Sequence, residues 1–260
     1  MGMNLKLVVG CMVFNSSIAM GVSLQTSDGD YVLDWSSSRL KFKATAKVEN
    51  ADQDSFTDVE KRAWAKGIAD VRKIGKSVYQ SHYKTEGQEI QKDVAASVDE
   101  AGLRAARGVF SKNTEYVSDG SVTVSLEARL SSILKPFNVS HTVVEKPSVE
   151  HLEDLSGLVF KISCAIEPRA DLKIENEAGD TLYAPNLISE KAYLEVLSGR
   201  WYRSPKPWEL RRAAGKKPKE LLVACEENGR LVVKSEDWEA IDSGVRDTIV
   251  KAARVAIVVP

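Results

Sequence analysis

The residues able to do chemistry are few and scattered. Three histidines occur, His82, His141 and His151, and no two stand at a spacing that would put both imidazoles on one face of a helix. His141 and His151 share an acidic stretch with Glu145, Glu150 and Glu153. That composition is compatible with a metal site and equally describes a solvated linker. No GxSxG elbow, phosphate-binding loop or GxGxxG fingerprint is present. The carboxylate pairs Asp52 with Asp54 and Glu226 with Glu227 lie beside turns, where water solvates them, rather than across a cleft as an acid and a base must. These observations point to a protein that is not an enzyme, with no cofactor and no metal.

Residues 200–219 differ from the rest. Arg200, Arg203, Lys206, Arg211, Arg212, Lys216, Lys217 and Lys219 occur there against the single acid Glu209, with Trp201, Tyr202 and Trp208 between them. Cations interleaved with aromatic rings suit lipid phosphate, an anionic glycan or nucleic acid. The plainer reading is a solvated face whose tryptophans cap a core. Trp201, Tyr202, Arg203, Trp208, Arg211 and Arg212 are the candidate contact residues. A second basic strip could come from Lys41, Lys43 and Lys47.

The chain of 260 residues has 43% hydrophobic and 28% charged residues and a net charge of −1. This composition can build packed cores and is not that of a general polyanion binder. Residues 1–19 have a lysine, an apolar run over residues 7–14 and small residues at Ser17 and Ala19. That is the layout of a secretory signal peptide cleaved before Met20, and its apolar run is too short to span a bilayer. Val8-Val9-Gly10-Cys11 also has the form of a lipobox that would acylate Cys11, although few apolar residues precede that cysteine. Export argues against nucleic acid as a partner. It would permit a disulfide between Cys164 and Cys225, for which buried free thiols are the alternative. Asn138-Val139-Ser140 matches a glycosylation acceptor, a motif common by chance.

Positioning falls to the regular elements. Leu40, Phe42, Ala44, Ala46 and Val48 alternate with Arg39, Lys41, Lys43, Thr45 and Lys47, a strand with one dry and one basic face. Thr57 with Glu60 fits a capping box, and Phe56, Val59, Ala63, Gly67, Val71, Ile74 and Val78 follow at helical spacing over residues 56–79. A second helix is expected to end near Gly102. Ser118-Asp119-Gly120 then turns the chain into the alternating strand 122–130. Later strands are expected at residues 157–163, 172–174, 181–183 and 221–224 and across the Glu227-Asn228-Gly229 hairpin. One helix capped by Ser235, with Trp238, Ile241, Val245, Ile249 and Ala252 inward, precedes an apolar final strand, 256–259. The expected fold is α+β: two small sheet-plus-helix units, the first βα(α)ββ-like, the second strand-dominated with a helix before its last strand. The boundaries read as a signal peptide 1–19, a polar leader 20–38, a first domain 39–135, a linker 136–156 and a second domain 157–260.

The second unit also resembles a known family. Gly157-Leu158-Val159, Pro168, Lys173-Ile174 and Leu182-Tyr183 are followed by Ala213 to Gly215, Pro218, Leu222-Val223-Ala224, then Ser235, Asp237, Ala240 and Ile241, and lastly Arg254-Val255-Ala256-Ile257-Val258-Val259. The order is similar to that in bacterial envelope proteins of the FlgP and FlgT type and related small outer-membrane lipoproteins. Lys161-Ile162-Ser163-Cys164 departs from the Asp-Ala-Arg-Gly usual there, and Lys217-Pro218 from Asn-Pro. The resemblance implies a non-enzymatic structural or assembly protein in the periplasm, associated with the outer membrane. It would work as an oligomer with envelope or outer-membrane proteins, in a flagellar basal-body ring or a related complex. The alternatives are an adaptor for an anionic glycan or lipid, and a hydrolase with an unrecognised site.

Overall fold

The computed structural model describes residues 22–28, 31–50, 54–84, 92–134 and 155–260. The amino-terminal stretch with Cys11, and His141, His151 and Asn138, lie outside the described residues, as does nearly all of the segment read as a linker. The chain is a mixed α+β fold with two sheets.

A short strand, β1 (Val22–Ser23), is followed by β2 (Gln25–Asp28), β3 (Tyr31–Asp34) and β4 (Arg39–Lys47). Two helices come next, α1 (Phe56–Lys84) and α2 (Lys92–Arg107), then β5 (Phe110–Tyr116) and β6 (Ser121–Arg129). These strands, β1 excepted, form an antiparallel sheet in the order β2-β3-β4-β6-β5. The register pairs Leu40 with Ala128, Phe42 with Leu126 and Ala44 with Val124, so the dry residues of both strands share one face. α1 packs on that face. A Cβ on its Gly67 would come within 2.2 Å of Leu126 Cδ1.

Two local expectations are corrected. The cap of α1 is Ser55, whose hydroxyl accepts the Asp58 N–H and donates to the Asp58 carboxylate, rather than the Thr57–Glu60 pair. Gly102 does not end α2. It lies inside the helix, where a Cβ would sit 2.7 Å from the Arg72 carbonyl oxygen of α1, so it serves helix–helix approach.

A four-residue turn of helix, α3 (Leu130–Ile133), leads from β6 toward the second unit. That unit contains β7 (Gly157–Ile162), β8 (Ile174–Glu175), β9 (Thr181–Tyr183), α4 (Glu190–Val196), β10 (Arg200–Ser204) and α5 (Pro207–Ala214). It finishes with β11 (Pro218–Cys225), β12 (Leu231–Val233), α6 (Ser235–Glu239), α7 (Ser243–Lys251) and β13 (Val255–Val258). Its sheet has the order β1-β10-β13-β7-β11-β12-β8-β9, and the four strands β10, β13, β7 and β11 run parallel. The apolar β13 is central, as its continuous pattern requires. The single helix expected after Ser235 is two. Asp242 accepts the Val245 N–H and starts α7, and Glu177 accepts the Ser235 backbone and hydroxyl groups at the start of α6. Of the expected strand 172–174 only Ile174 is extended, and it continues into Glu175 as β8.

The stretch read as a polar leader is woven into both sheets: β1 pairs with β10, and β2 and β3 extend the first sheet. One apolar core runs through both units, including Trp35, Leu130, Ile133 and Leu134 on one side and Tyr193, Leu197 and Trp201 on the other. Polar bonds clamp the junction. The Trp201 N–H donates to the Trp35 carbonyl at 3.4 Å, Tyr193 Oη to the Leu134 carbonyl at 3.2 Å, and Arg200 to the Ser36 carbonyl at 3.0 Å. Asp34 holds the turn that presents Trp35, accepting from Ser36, Ser37 and Lys41.

Burial pushes the Asp34 carboxyl up, but Lys41, the Ser36 hydroxyl and the Ser37 amide outweigh it and hold it below the ordinary aspartate value. A carboxyl depressed in the folded state stabilises the fold above its unfolded value, and that contribution is lost as pH falls through the folded value. The fall in stability below about pH 4 should therefore be shallower in Asp34→Asn than in the parent, in urea titrations across the acid range.

Cys164 and Cys225 form a disulfide across 61 positions, tying the segment just after β7 to the end of β11. Closing a loop of that length in the unfolded chain is worth at most about 4 kcal/mol. Cys164→Ser with Cys225→Ser, or reduction, should lower the unfolding free energy by about 2–4 kcal/mol in urea titrations with and without reductant.

A candidate cationic contact face

The second sheet sorts the residues of 200–219 by alternation. Trp201, Ile257, Phe160 and Leu221 form one row across β10, β13, β7 and β11, and each is 1% exposed or less. The row one residue on, Tyr202, Val258, Lys161 and Leu222, lies on the opposite face. There α5 lies over Val159, Tyr202 and Ala256, pressing Ala213 and Ala214 onto them. Burial pushes the Tyr202 phenol up to about 12, with the nearby Arg200 acting against it.

Two of the six candidate contact residues are therefore core. Trp201 and Tyr202 are 1% and 2% exposed, because adjacent residues of a strand point to opposite faces and both faces of β10 are covered. Arg203 is exposed at the end of β10 and falls on the Trp201 side by alternation, away from α5. The structure brings Trp208, Arg211 and Arg212 together. They stand at i, i+3 and i+4 on the outward side of α5, and Trp208 is 57% exposed.

The electrostatics of this face follow from one carboxylate. Glu209, the lone acid of residues 200–219, is buried and accepts the Lys206 N–H at 2.7 Å, closing the start of α5. It is turned away from the outward stripe. Among the described residues no ion pair involves Arg203, Arg211, Arg212 or Lys216, and Glu220 beyond them is engaged by Lys161 at 2.5 Å. Burial, followed by the neighbouring guanidiniums of Arg212 and Arg39, depresses Arg200 below the ordinary arginine value, against the opposing influence of Tyr202 and Asp34. Arg211 and Arg212 thus stand on the outward side of α5 with the local carboxylate turned inward.

The other candidates are used structurally. In the basic strip of β4, Lys41 pairs with Asp34 and Lys47 with Asp119. Asp54 is gripped by Arg62 and Glu226 pairs with Arg230, so neither is poised as an acid or a base. An open groove of about 1180 Å³ beside α1 has Lys41 and Glu127 in one cross-strand row and Phe42 and Leu126 in the next. Its lining therefore draws on opposite faces of the sheet. Among the described residues no group of three or more His, Cys, Asp and Glu could hold a metal ion.

The sheet edges offer little for strand addition. β1, β2 and β9 have two, four and three residues, and the register of β5 shifts near Lys112. Short, bulged or lysine-bearing edges resist pairing with another chain.

No family model matches the chain, and no curated protein matches it.

The two tryptophans should separate cleanly. Trp201→Ala should cost about 3–5 kcal/mol as a large core truncation. Trp208→Ala should stay within about 0.5 kcal/mol of the parent in the same urea titrations.

Proposed function

We propose that the chain is an exported, non-enzymatic structural or assembly protein of the bacterial cell envelope, acting in the periplasm at the outer membrane. It works by surface contact, as a component of a larger complex such as a flagellar basal-body ring. The observation that carries this reading is the outward stripe Trp208–Arg211–Arg212, from which the local carboxylate has been withdrawn. Such a stripe offers an aromatic anchor and two arginines, residue types that dominate contact energies.

Two further observations support it. The Cys164–Cys225 disulfide fits an oxidising compartment, where such bonds persist. The protected edges favour contact through side chains over strand addition. The second reading, an adaptor for an anionic glycan or lipid, is favoured by the cations of the same face.

Expression with the native amino terminus in a bacterial host, followed by fractionation, tests the proposal. The expected product lacks residues 1–19, is found in the periplasmic or membrane fraction and migrates as a large defined complex. That complex should be depleted at least severalfold by Arg211→Glu with Arg212→Glu. An uncleaved, monomeric chain in the cytoplasm would overturn the reading.

A further inference from the structure

The α5 side of the second sheet is only partly covered. α5 has eight residues and is about 12 Å long. β11, also eight residues, extends about 26 Å. The row Tyr202, Val258, Lys161, Leu222 records where the cover ends: Tyr202 is buried, Val258 half-buried, Lys161 exposed, and Leu222 74% exposed. The opposite row is buried from end to end. Leu222 and, in part, Val258 therefore lie uncovered on the same side of the sheet as the outward stripe of α5, separated by Lys161, whose charge is met by Glu220.

We infer that this side of the second unit, with Trp208 and Leu222 as apolar anchors and Arg211, Arg212 and Lys216 as cations, docks on the anionic phospholipid surface of a membrane. This rests on the proposed envelope location and names the partner of the same face. The pairing of residue types selects the lipid. Arginines without carboxylate partners complement headgroup phosphate. An indole is at home at the boundary of headgroups and acyl chains. Leu222 stands on an extended sheet face, where a sugar or a soluble polyanion would gain little from it. At the headgroup boundary its side chain leaves water. The attachment is peripheral: among the described residues no helix is long and apolar enough to cross a membrane.

The full mature chain, from Met20, is mixed with vesicles of phosphatidylcholine alone and of phosphatidylcholine with phosphatidylglycerol, and binding is read by flotation. The protein should float with the phosphatidylglycerol vesicles, and raising salt should release it. Arg211→Ala with Arg212→Ala should weaken binding by roughly an order of magnitude or more. Leu222→Ser should weaken binding at high salt more than at low salt, since its contribution is not screened. Urea titrations of each variant establish that the fold is kept. A variant that fails that check is replaced by Trp208→Ser, which alters only an exposed side chain. Equal binding to both vesicle types, no binding to either, or binding indifferent to the arginine changes would overturn the inference. So would soluble polyanionic glycan displacing the protein from vesicles while binding equally well to the Leu222→Ser variant. The purified chain is used throughout, so failure here leaves the result of cell fractionation standing, and failure of fractionation leaves vesicle binding readable.

Discussion

The burial of Trp201 constrains everything around it. Its indole enters the common core, and its backbone N–H meets the carbonyl of Trp35 in the β3–β4 turn of the other unit. With Trp201 inward, the pleat of β10 sends Tyr202 to the opposite face, where it needs a cover. α5 supplies that cover through Ala213 and Ala214, two residues small enough to let the helix approach the sheet closely. Once those alanines face down, helical geometry turns Trp208, Arg211 and Arg212 out. The contact face thus follows from a core residue on the far side of the sheet. The β1 pairing and the Arg200–Ser36 bond hold β10 in this setting from its edge.

Much of the first unit was legible because one face of its sheet is dry and the other wet. Leu40–Lys47 and Val122–Arg129 alternate strictly, and alternation is the pattern that a half-buried strand imposes. In the second unit β13, most of β7 and the Trp201–Tyr202 part of β10 are buried on both faces, which erases that pattern, while β11 keeps one exposed face. Trp201 and Tyr202 look in sequence like neighbours on a surface and are in fact on opposite sides of a covered strand. The break in the final helical stretch depends on Asp242, which caps α7, while the expected start at Ser235 is closed by Glu177, a residue 58 positions earlier. A cap supplied from that distance leaves no local mark. Gly102 misleads in another way, since glycine reads as a helix end when it is wanted for the approach of a second helix.

The cationic character of residues 200–219 was visible as a count, but its effect depends on where the single acid points. Had Glu209 faced outward at i−3 from Arg212, it would have screened the stripe as an ordinary helical ion pair. Used instead to close the start of α5, it leaves the arginines available to a partner. The lysines of β4 show the opposite outcome, since Asp34 and Asp119 absorb two of them. Cations in the two segments therefore differ in their availability to a partner, and the difference lies in the position of carboxylates.

A photoreactive amino acid at position 211, compared with one at exposed position 239 on α6, tests the central claim most directly in intact cells. The account predicts that 211 crosslinks to an envelope component, protein or lipid, and that 239 does not. Equal labelling from both positions, or labelling from 239 alone, would contradict it.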